Sequence, residues 1–479
     1  MDIMPPEMAL LLGVGLIYFA FRTDKQRHGP APKALIWPTL WYLVTSSHPF
    51  GYWMQLWNIP LPGGSGDPTD GSVIDRFFYG VLTGIGLWIL SRRNFDWKAM
   101  LRANPWLTAF MGLMLVSVLW SHYPYVSFKR FIKVIGSVVM ACVVLTEPDP
   151  FAAFCTVLRR GLYIHLPMSI ICVKYYRDIG VGFDWSGTAE DWQGIATSKN
   201  VLGQVAMLGV VYFFWEVWRH WKEYGWKNIH LIYLLMAVHL LLGSKNDSSK
   251  TSLSVCLFAM VIFLRIQSLR DRPEYVRPFV MKVFWGTVAL VCMVVLHSIV
   301  HFSADSPFGE FIALLGRDVT MTGRTFIWDD VYAATAQSPF LGVGFGGFWI
   351  GRLANIPWNA HMTWVLAQAH SGYADTYLQL GYLGAAVLVI VIFTSLPRLL
   401  DTLSDDFDFA CFRITLFITI IFVNMTESIY LRGDHHLWLI LMMILWMVPK
   451  SSEQLAVETI EVDEIQPRAD DMEPAPSWN

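Results

Sequence analysis

Apolar runs approaching the thickness of a lipid bilayer recur along this chain from about residue 8 to residue 449. Each run is continuous rather than alternating, so each reads as a helix and not as a strand with one wet face. Within a bilayer the backbone must satisfy its own hydrogen bonds inside the segment, which again selects helices. The runs fall near residues 8–21, 34–46, 73–90, 105–119, 131–146, 161–173, 200–218, 229–243, 251–266, 283–300, 383–396, 411–424 and 435–449. Several are shorter than the roughly 20 residues a perpendicular span needs, and flanking aromatic residues extend them. The expected fold class is an all-α polytopic membrane protein with 12–13 transmembrane helices. Only 15% of residues are charged, too few to cover the surface of a soluble protein of this size. Trp37, Trp41, Trp88, Trp106, Trp120, Trp215 and Trp218 stand at the ends of runs, as interfacial anchors do.

Lys and Arg are shared unevenly between the two sides. Setting residues 22–33, 92–104, 147–161, 219–228, 265–282, 397–413 and the C-terminal segment inside puts 22 of the 35 basic residues there and leaves 13 outside. The positive-inside rule then turns residues 301–382, a long polar and aromatic connection, away from the cytoplasm. It also puts the N-terminus outside. No basic segment precedes the first run, so that run does not read as a cleaved signal peptide. A net charge of −3 suits no nucleic-acid partner. The six cysteines lie in or beside apolar runs without a CxxC pair, which points to neither a disulfide framework nor a thiolate metal site. The chain divides into a membrane domain, 1–450, and an acidic tail, 451–479. The tail has too few bulky apolar residues to fold alone and is expected to be disordered and cytoplasmic.

The external cations are the informative minority. Lys129, Arg130 and Lys133 open the fifth run, and at roughly 100° per residue all three share one arc of that helix. Lys199 follows Thr197 and Ser198 at the start of the seventh run, and Lys245 and Lys250 flank a polar stretch before the ninth. Residues able to cap precede these helix starts, and the helix N-termini carry the positive end of the macrodipole and free N–H groups, a setting that suits phosphate. Singly, each cation reads as an interfacial snorkelling residue. Together they mark an anion site at the outer boundary, fitted to a pyrophosphate whose lipid tail lies in the bilayer.

Within 301–382 come Thr322, Gly323, Arg324, Thr325 and Trp328, then the glycines 342, 344, 346 and 347, then His370, Ser371, Gly372, Tyr373 and Asp375. Connections this long are rarely mere links. Arg324, at the start of an amphipathic helix ending at Ser338 and Pro339, can hold phosphate oxygens bidentately or pair structurally with Asp329 or Asp330. The glycine run lacks a surrounding βαβ unit and is no dinucleotide fingerprint. It reads as a turn that lets backbone approach a ligand or the bundle. Histidine is the side chain whose ordinary ionisation suits proton abstraction from a hydroxyl, and His370 lies near the proposed anion site. On a helix His370, Tyr373 and Tyr377 would share a face, whereas Asp375 would point roughly 140° away. His361 offers a metal pair for His370, but no carboxylate spacing completes a site, so neither metal nor cofactor is expected. Glu427, at the outer end of the twelfth run, is a supporting candidate, with Arg432 or a basic helix start to neutralise it.

These motifs, in this order, resemble the bacterial O-antigen ligase and polymerase family, most closely its exopolysaccharide-production polymerase branch. The resemblance runs through Leu119–Pro124 with Ser127–Arg130, Thr146–Asp149, Lys174–Tyr176, Thr197–Asn200 and Ser248–Ser252. It continues through Gly316–Asp318, Thr322–Thr325 with Trp328, Leu341–Gly344, Ala369–Tyr373 and Asn424–Glu427. It implies a metal-independent glycosyltransferase on the periplasmic face of the bacterial inner membrane, taking a glycan from an undecaprenyl-diphosphate carrier to an acceptor hydroxyl. It assigns catalysis to His370 and Arg324 and adds Lys129, Arg130 and Lys199 as positions in matching motifs. A flippase and a chain-length regulator are the partners such an enzyme implies. Two departures, Ser371 where many relatives have Asn and a long segment at 352–367, bear on the acceptor side. A polymerase of lipid-linked repeat units of an exopolysaccharide, capsule or O-antigen is the leading reading. A ligase moving a finished glycan to lipid A core is the alternative within the family. A secondary transporter ranks lower, because no internal repeat is visible and charge collects at one face. A non-catalytic envelope component would need none of the basic helix starts.

Overall fold

The computed structural model describes residues 4–59, 72–183, 190–243, 247–314, 318–321, 323–350 and 367–449, without the side chains of 247–250, 311 and 314. Lys245, Thr322, His361 and the tail 451–479 lie outside the described residues. Every expected apolar run coincides with a helix. In chain order these are α1 (Pro6–His28), α2 (Ile36–Ser46), α3 (Val73–Arg92), α4 (Pro105–Ser117), α5 (Pro124–Leu145), α6 (Pro150–Tyr175), α7 (Lys199–Arg219) and α8 (Ile229–Gly243). There follow α9 (Asp247–Ser268), α10 (Val276–Val300), the short α11 (Pro307–Leu314) and α12 (Arg324–Thr335), then α13 (Gly372–Asp401), α14 (Phe407–Val423) and α15 (His436–Leu445).

Among the described residues, six helices are long and apolar enough to cross a membrane, or up to eight if two bent pairs each count as one span. The bends, 104° before α4 and 67° before α8, break otherwise continuous apolar stretches. The other expected runs are helices that are shorter or carry more charge. Their burial explains why they need less length. Every residue of α15 is buried, as a helix apolar on all sides must be. By contrast α1 and α10 face mainly outward. A two-stranded antiparallel hairpin, β1 (Val181–Phe183) with β2 (Glu190–Trp192), precedes α7, with Gly182 opposite Asp191. Runs of three residues carry no readable alternation, so the sequence does not announce it.

Two turns at one end of the bundle matter for function. The expected boundary near residue 382 falls at Gly381, whose φ of +63° kinks α13, so residues 372–380 form a helical approach to the long span. The turn joining α14 to α15 is organised by Asn424. Its fully buried Oδ1 accepts from the N–H groups of Ile429 at 3.0 Å and Tyr430 at 3.2 Å, and its own amide donates to the Ile420 carbonyl at 2.8 Å. The Gly372 N–H donates to the carbonyls of Asn424 at 2.9 Å and Glu427 at 3.1 Å, which ties this turn to the start of α13. Gly433 then presses against α5 so closely that a Cβ there would lie 2.3 Å from the Val134 nitrogen. A buried N–H without a partner costs about 1–3 kcal/mol. Asn424→Ala strands two, so it should lower stability by about 2–4 kcal/mol. The thermal midpoint of the detergent-solubilised protein, followed by tryptophan fluorescence, reads this directly, and an unchanged midpoint contradicts it.

Candidate functional site

The two turns bring three distant segments onto one carboxylate. Glu427 lies 3.4 Å (Oε1) from an Arg324 terminal nitrogen and 3.8 Å (Oε2) from His370 Nδ1. Asn200, in the first turn of α7, donates its amide to Glu427 Oε1 at 2.6 Å. Burial alone would raise the Glu427 carboxyl, but the hydrogen bond and charge of His370, then the Arg324 charge, hold it below the usual range. It therefore stands ionised at neutral pH.

Arg324 is the first residue of α12, entered through Gly323 at φ +80°. One terminal nitrogen donates to the Met321 carbonyl at 3.0 Å and the other faces Glu427. Its buried Nε has no hydrogen-bond partner among the described residues. The alternative pairing with Asp329 or Asp330 is not formed. Asp329 instead faces His301 at 3.1 Å, and half-buried Asp330 has its carboxyl pushed up to about 6 by burial and by its neighbour Asp329.

His370 is not on a helix. Its φ is +50°, and Ser371 caps α13 by accepting the Ala374 N–H, so the face shared by His370, Tyr373 and Tyr377 does not exist. Tyr373 turns inward and donates to the Ile421 carbonyl at 2.8 Å. Asp375 does not touch His370. It accepts from Trp349 Nε1 at 2.7 Å and from the Ala369 N–H at 3.0 Å, and Trp328 Nε1 donates to the Ala369 carbonyl at 3.1 Å. Both sides of the residue before His370 are thus pinned by buried groups.

A second set of charges adjoins the first. Gln368 contacts His370 Nδ1 at 3.2 Å and accepts from Arg432 at 2.8 Å, and Arg432 faces Asp434 at 3.5 Å. Burial would raise the Asp434 carboxyl, but Arg432, Lys133 and Arg130 hold it well below the usual range. Asp434 is nevertheless 44% exposed, so water reaches it and it is not sealed in the interior. Burial and the charge of Arg432 push buried His435 down to about 3, and its Nδ1 accepts the Leu437 N–H at 3.2 Å. His370 is the half-buried imidazole of the group.

The expected cations are only partly gathered here. Arg130 donates to the Gly346 carbonyl at 2.8 Å, and the Lys133 ammonium stands 5.0 Å over the Tyr79 ring. Lys129 stands 4.6 Å over the Tyr125 ring of its own helix. Because α5 begins at Pro124, these three lie past its first turn, where the macrodipole has faded, so they act through side-chain charge. Lys199 does open α7, with Ser198 accepting the Val201 N–H at 3.3 Å, but its ammonium is held by Asp191 of the hairpin at 2.6 Å. Lys250 is in α9 with an undescribed side chain. The glycine run approaches the bundle. Gly342 and Gly344 have φ of +68° and +91°, and a Cβ on either would strike the backbone of α13 or of Ser121.

Residues 231–389 match a family model described as O-antigen ligase, a segment that holds Arg324 and His370. The chain is also 25% identical over 336 residues to the exopolysaccharide production protein ExoQ of Rhizobium meliloti, covering 68% of this chain and 73% of that protein. The chain resembles the O-antigen ligase and polymerase family. It is a multi-pass membrane protein, and Glu427, Arg432 and Asp434 lie beyond the segment matched to the O-antigen ligase model. Sequence reasoning missed Gln368 and Asp434 as parts of the site. Their only signal was polarity next to an apolar run. The same reasoning offered Arg432 as a neutraliser of Glu427, whereas Arg432 faces Asp434 and Gln368 and the helix-start Arg324 faces Glu427.

The depressed Glu427 carboxyl has a pH consequence. Its contribution to stability is complete above its ordinary value of about 4.5 and is lost as pH falls through the lower folded-state value. Thermal midpoints measured from pH 7 downward should therefore fall more steeply for the natural protein than for Glu427→Gln. Parallel curves would contradict this.

Proposed function

We propose that the chain is a metal-independent glycosyltransferase that polymerises undecaprenyl-diphosphate-linked repeat units on the periplasmic face of the inner membrane. The observation that carries this reading is Arg324. It is fixed by Glu427 and Met321 while its side chain stays 15% exposed, so the guanidinium is held in place and still reachable by a ligand oxygen. Arg130, Lys133 and Arg432 add charge that outweighs Asp434, which suits a diphosphate. The name of the ExoQ relative, which refers to exopolysaccharide production, supports polymer formation over transfer to lipid A core.

In this mechanism His370 accepts the proton of the acceptor hydroxyl as that oxygen attacks the anomeric carbon. The bond from that carbon to the diphosphate oxygen breaks, and undecaprenyl diphosphate leaves with the electron pair. Arg324 and its neighbours stabilise the developing charge. Glu427 orients the imidazole and balances it once protonated. One base and one cationic cradle suit single-step inversion, since double displacement needs a nucleophilic carboxylate beside the sugar.

Reconstituted protein given lipid-linked repeat units should yield a ladder of products, whereas a single transfer would favour the ligase. Loss of a general base typically slows a reaction about 10²–10⁴-fold. His370→Ala should fall in that range with normal insertion and carrier binding, and near-normal turnover would refute the assignment. Arg324→Lys should also lose much activity, because a point charge does not replace the planar fork.

A further inference from the structure

At the opposite end of the bundle, a cleft of about 370 Å³ opens between the end of α9 and the start of α10. It is lined by Arg265, Arg272 and Lys282 together with Leu269, Tyr275, Pro278 and Phe279. We infer that this cleft binds the phosphate of an anionic phospholipid, with the acyl chains lying along the outer faces of α9 and α10.

The basic residues next to the cleft in the chain are paired. Arg270 and Arg219 both pair with Asp408, the latter at 3.2 Å, and Arg277 pairs with Asp401 at 2.8 Å. Among the described residues, Arg265, Arg272 and Lys282 have no carboxylate partner. Arg265 touches only Ser268 of its own turn, at 3.4 Å. Asp271 and Glu274 are in the same connection but do not line the cleft. Cations left unpaired around a cavity attract an anion of matching size, whereas snorkelling residues spread along a rim have no reason to converge.

The floor and setting identify the anion's carrier. Leu269, Pro278 and Phe279 give the cleft an apolar base, and half-exposed Tyr275 stands at its edge, as an interfacial aromatic does. Both flanking helices are among those apolar enough to cross a membrane, and α10 is largely unburied by the rest of the protein. A phosphate bound here therefore has lipid on its open side. Basic pockets between spans at this kind of boundary suit lipid headgroups.

The test uses the full-length protein in phosphatidylcholine nanodiscs doped with phosphatidylglycerol, with retained lipid read by native mass spectrometry. Phosphatidylglycerol should be retained over phosphatidylcholine. Each basic residue near an anionic headgroup strengthens binding roughly fivefold, so the triple change Arg265→Gln, Arg272→Gln and Lys282→Gln should weaken retention on the order of 100-fold. Arg277→Gln, outside the cleft, should leave it unchanged. Should the triple variant not fold, Arg272→Gln and Lys282→Gln singly should each cost about fivefold. Undiminished retention in these variants overturns the proposal. So does complete displacement of the lipid by millimolar inorganic phosphate, which would mark a site for the soluble ion.

Discussion

One end of the bundle is organised around one ionised carboxylate. Glu427 holds Arg324 at the start of α12, His370 in the turn before α13 and Asn200 at the start of α7, three segments far apart in the chain. Taking a carboxylate out of water is costly unless it is paired and hydrogen-bonded, and here each approaching group offsets part of that cost. The arrangement is therefore mutual. The partners are held in place by the carboxylate, and the carboxylate stays charged because they are there. Removing one partner leaves the others unbalanced, so the site is a unit in which single contacts have no separable energies.

Support for that unit lies in packing rather than charge. Asn424 shapes the turn that carries Glu427, and Gly433 lets the same turn press on the backbone of α5. Ser137 of α5 donates to the Gly433 carbonyl at 3.0 Å and receives the Trp41 indole N–H at 3.1 Å. A chain of buried contacts thus runs from the helix bearing Arg130 and Lys133 to the turn bearing Glu427, Arg432 and Asp434. Asp375 does the same for His370 from the other side, through the peptide before it. Catalytic geometry needs this kind of rigid backing, because small displacements of a base or an anion clamp are expensive in rate.

What was legible in the sequence follows from what is local. Apolar periodicity marks helices directly, so every expected run became one. The conclusion that Asp375 does not orient His370 agrees with the structure, but the angular argument for it fails, because His370 lies outside the helix. The cap at Ser371 decides that, and a capping serine beside a glycine reads equally well one residue either way. The start of α5 was misread for a similar reason. The apolar run begins near residue 131, but Pro124 begins the helix, and that shift removes Lys129 and its neighbours from the dipole. The partner of Glu427 was not legible, since it depends on how α12, α13 and the last turn meet in space. Lys199 was visible as a cation but not as one committed to Asp191, because that contact requires a hairpin too short to recognise.

The presence of carboxylates among the cations has its own logic. Arg324, Arg130, Lys133 and Arg432 gathered at one end would repel one another, and an uncompensated cluster of that kind destabilises the folded state. Glu427 and Asp434 offset the repulsion while leaving the balance positive. Under the proposed function, a diphosphate arriving here would meet cations already held in place, with little rearrangement to make. It also meets two negative groups, which weakens the binding of any anion. A single phosphate gains fewer contacts against that same repulsion than a diphosphate does, so the carboxylates favour the larger anion. On this reading the mixed charge is a specificity device as well as a scaffold: the carboxylates that hold the cations also set how much anionic charge a ligand must bring.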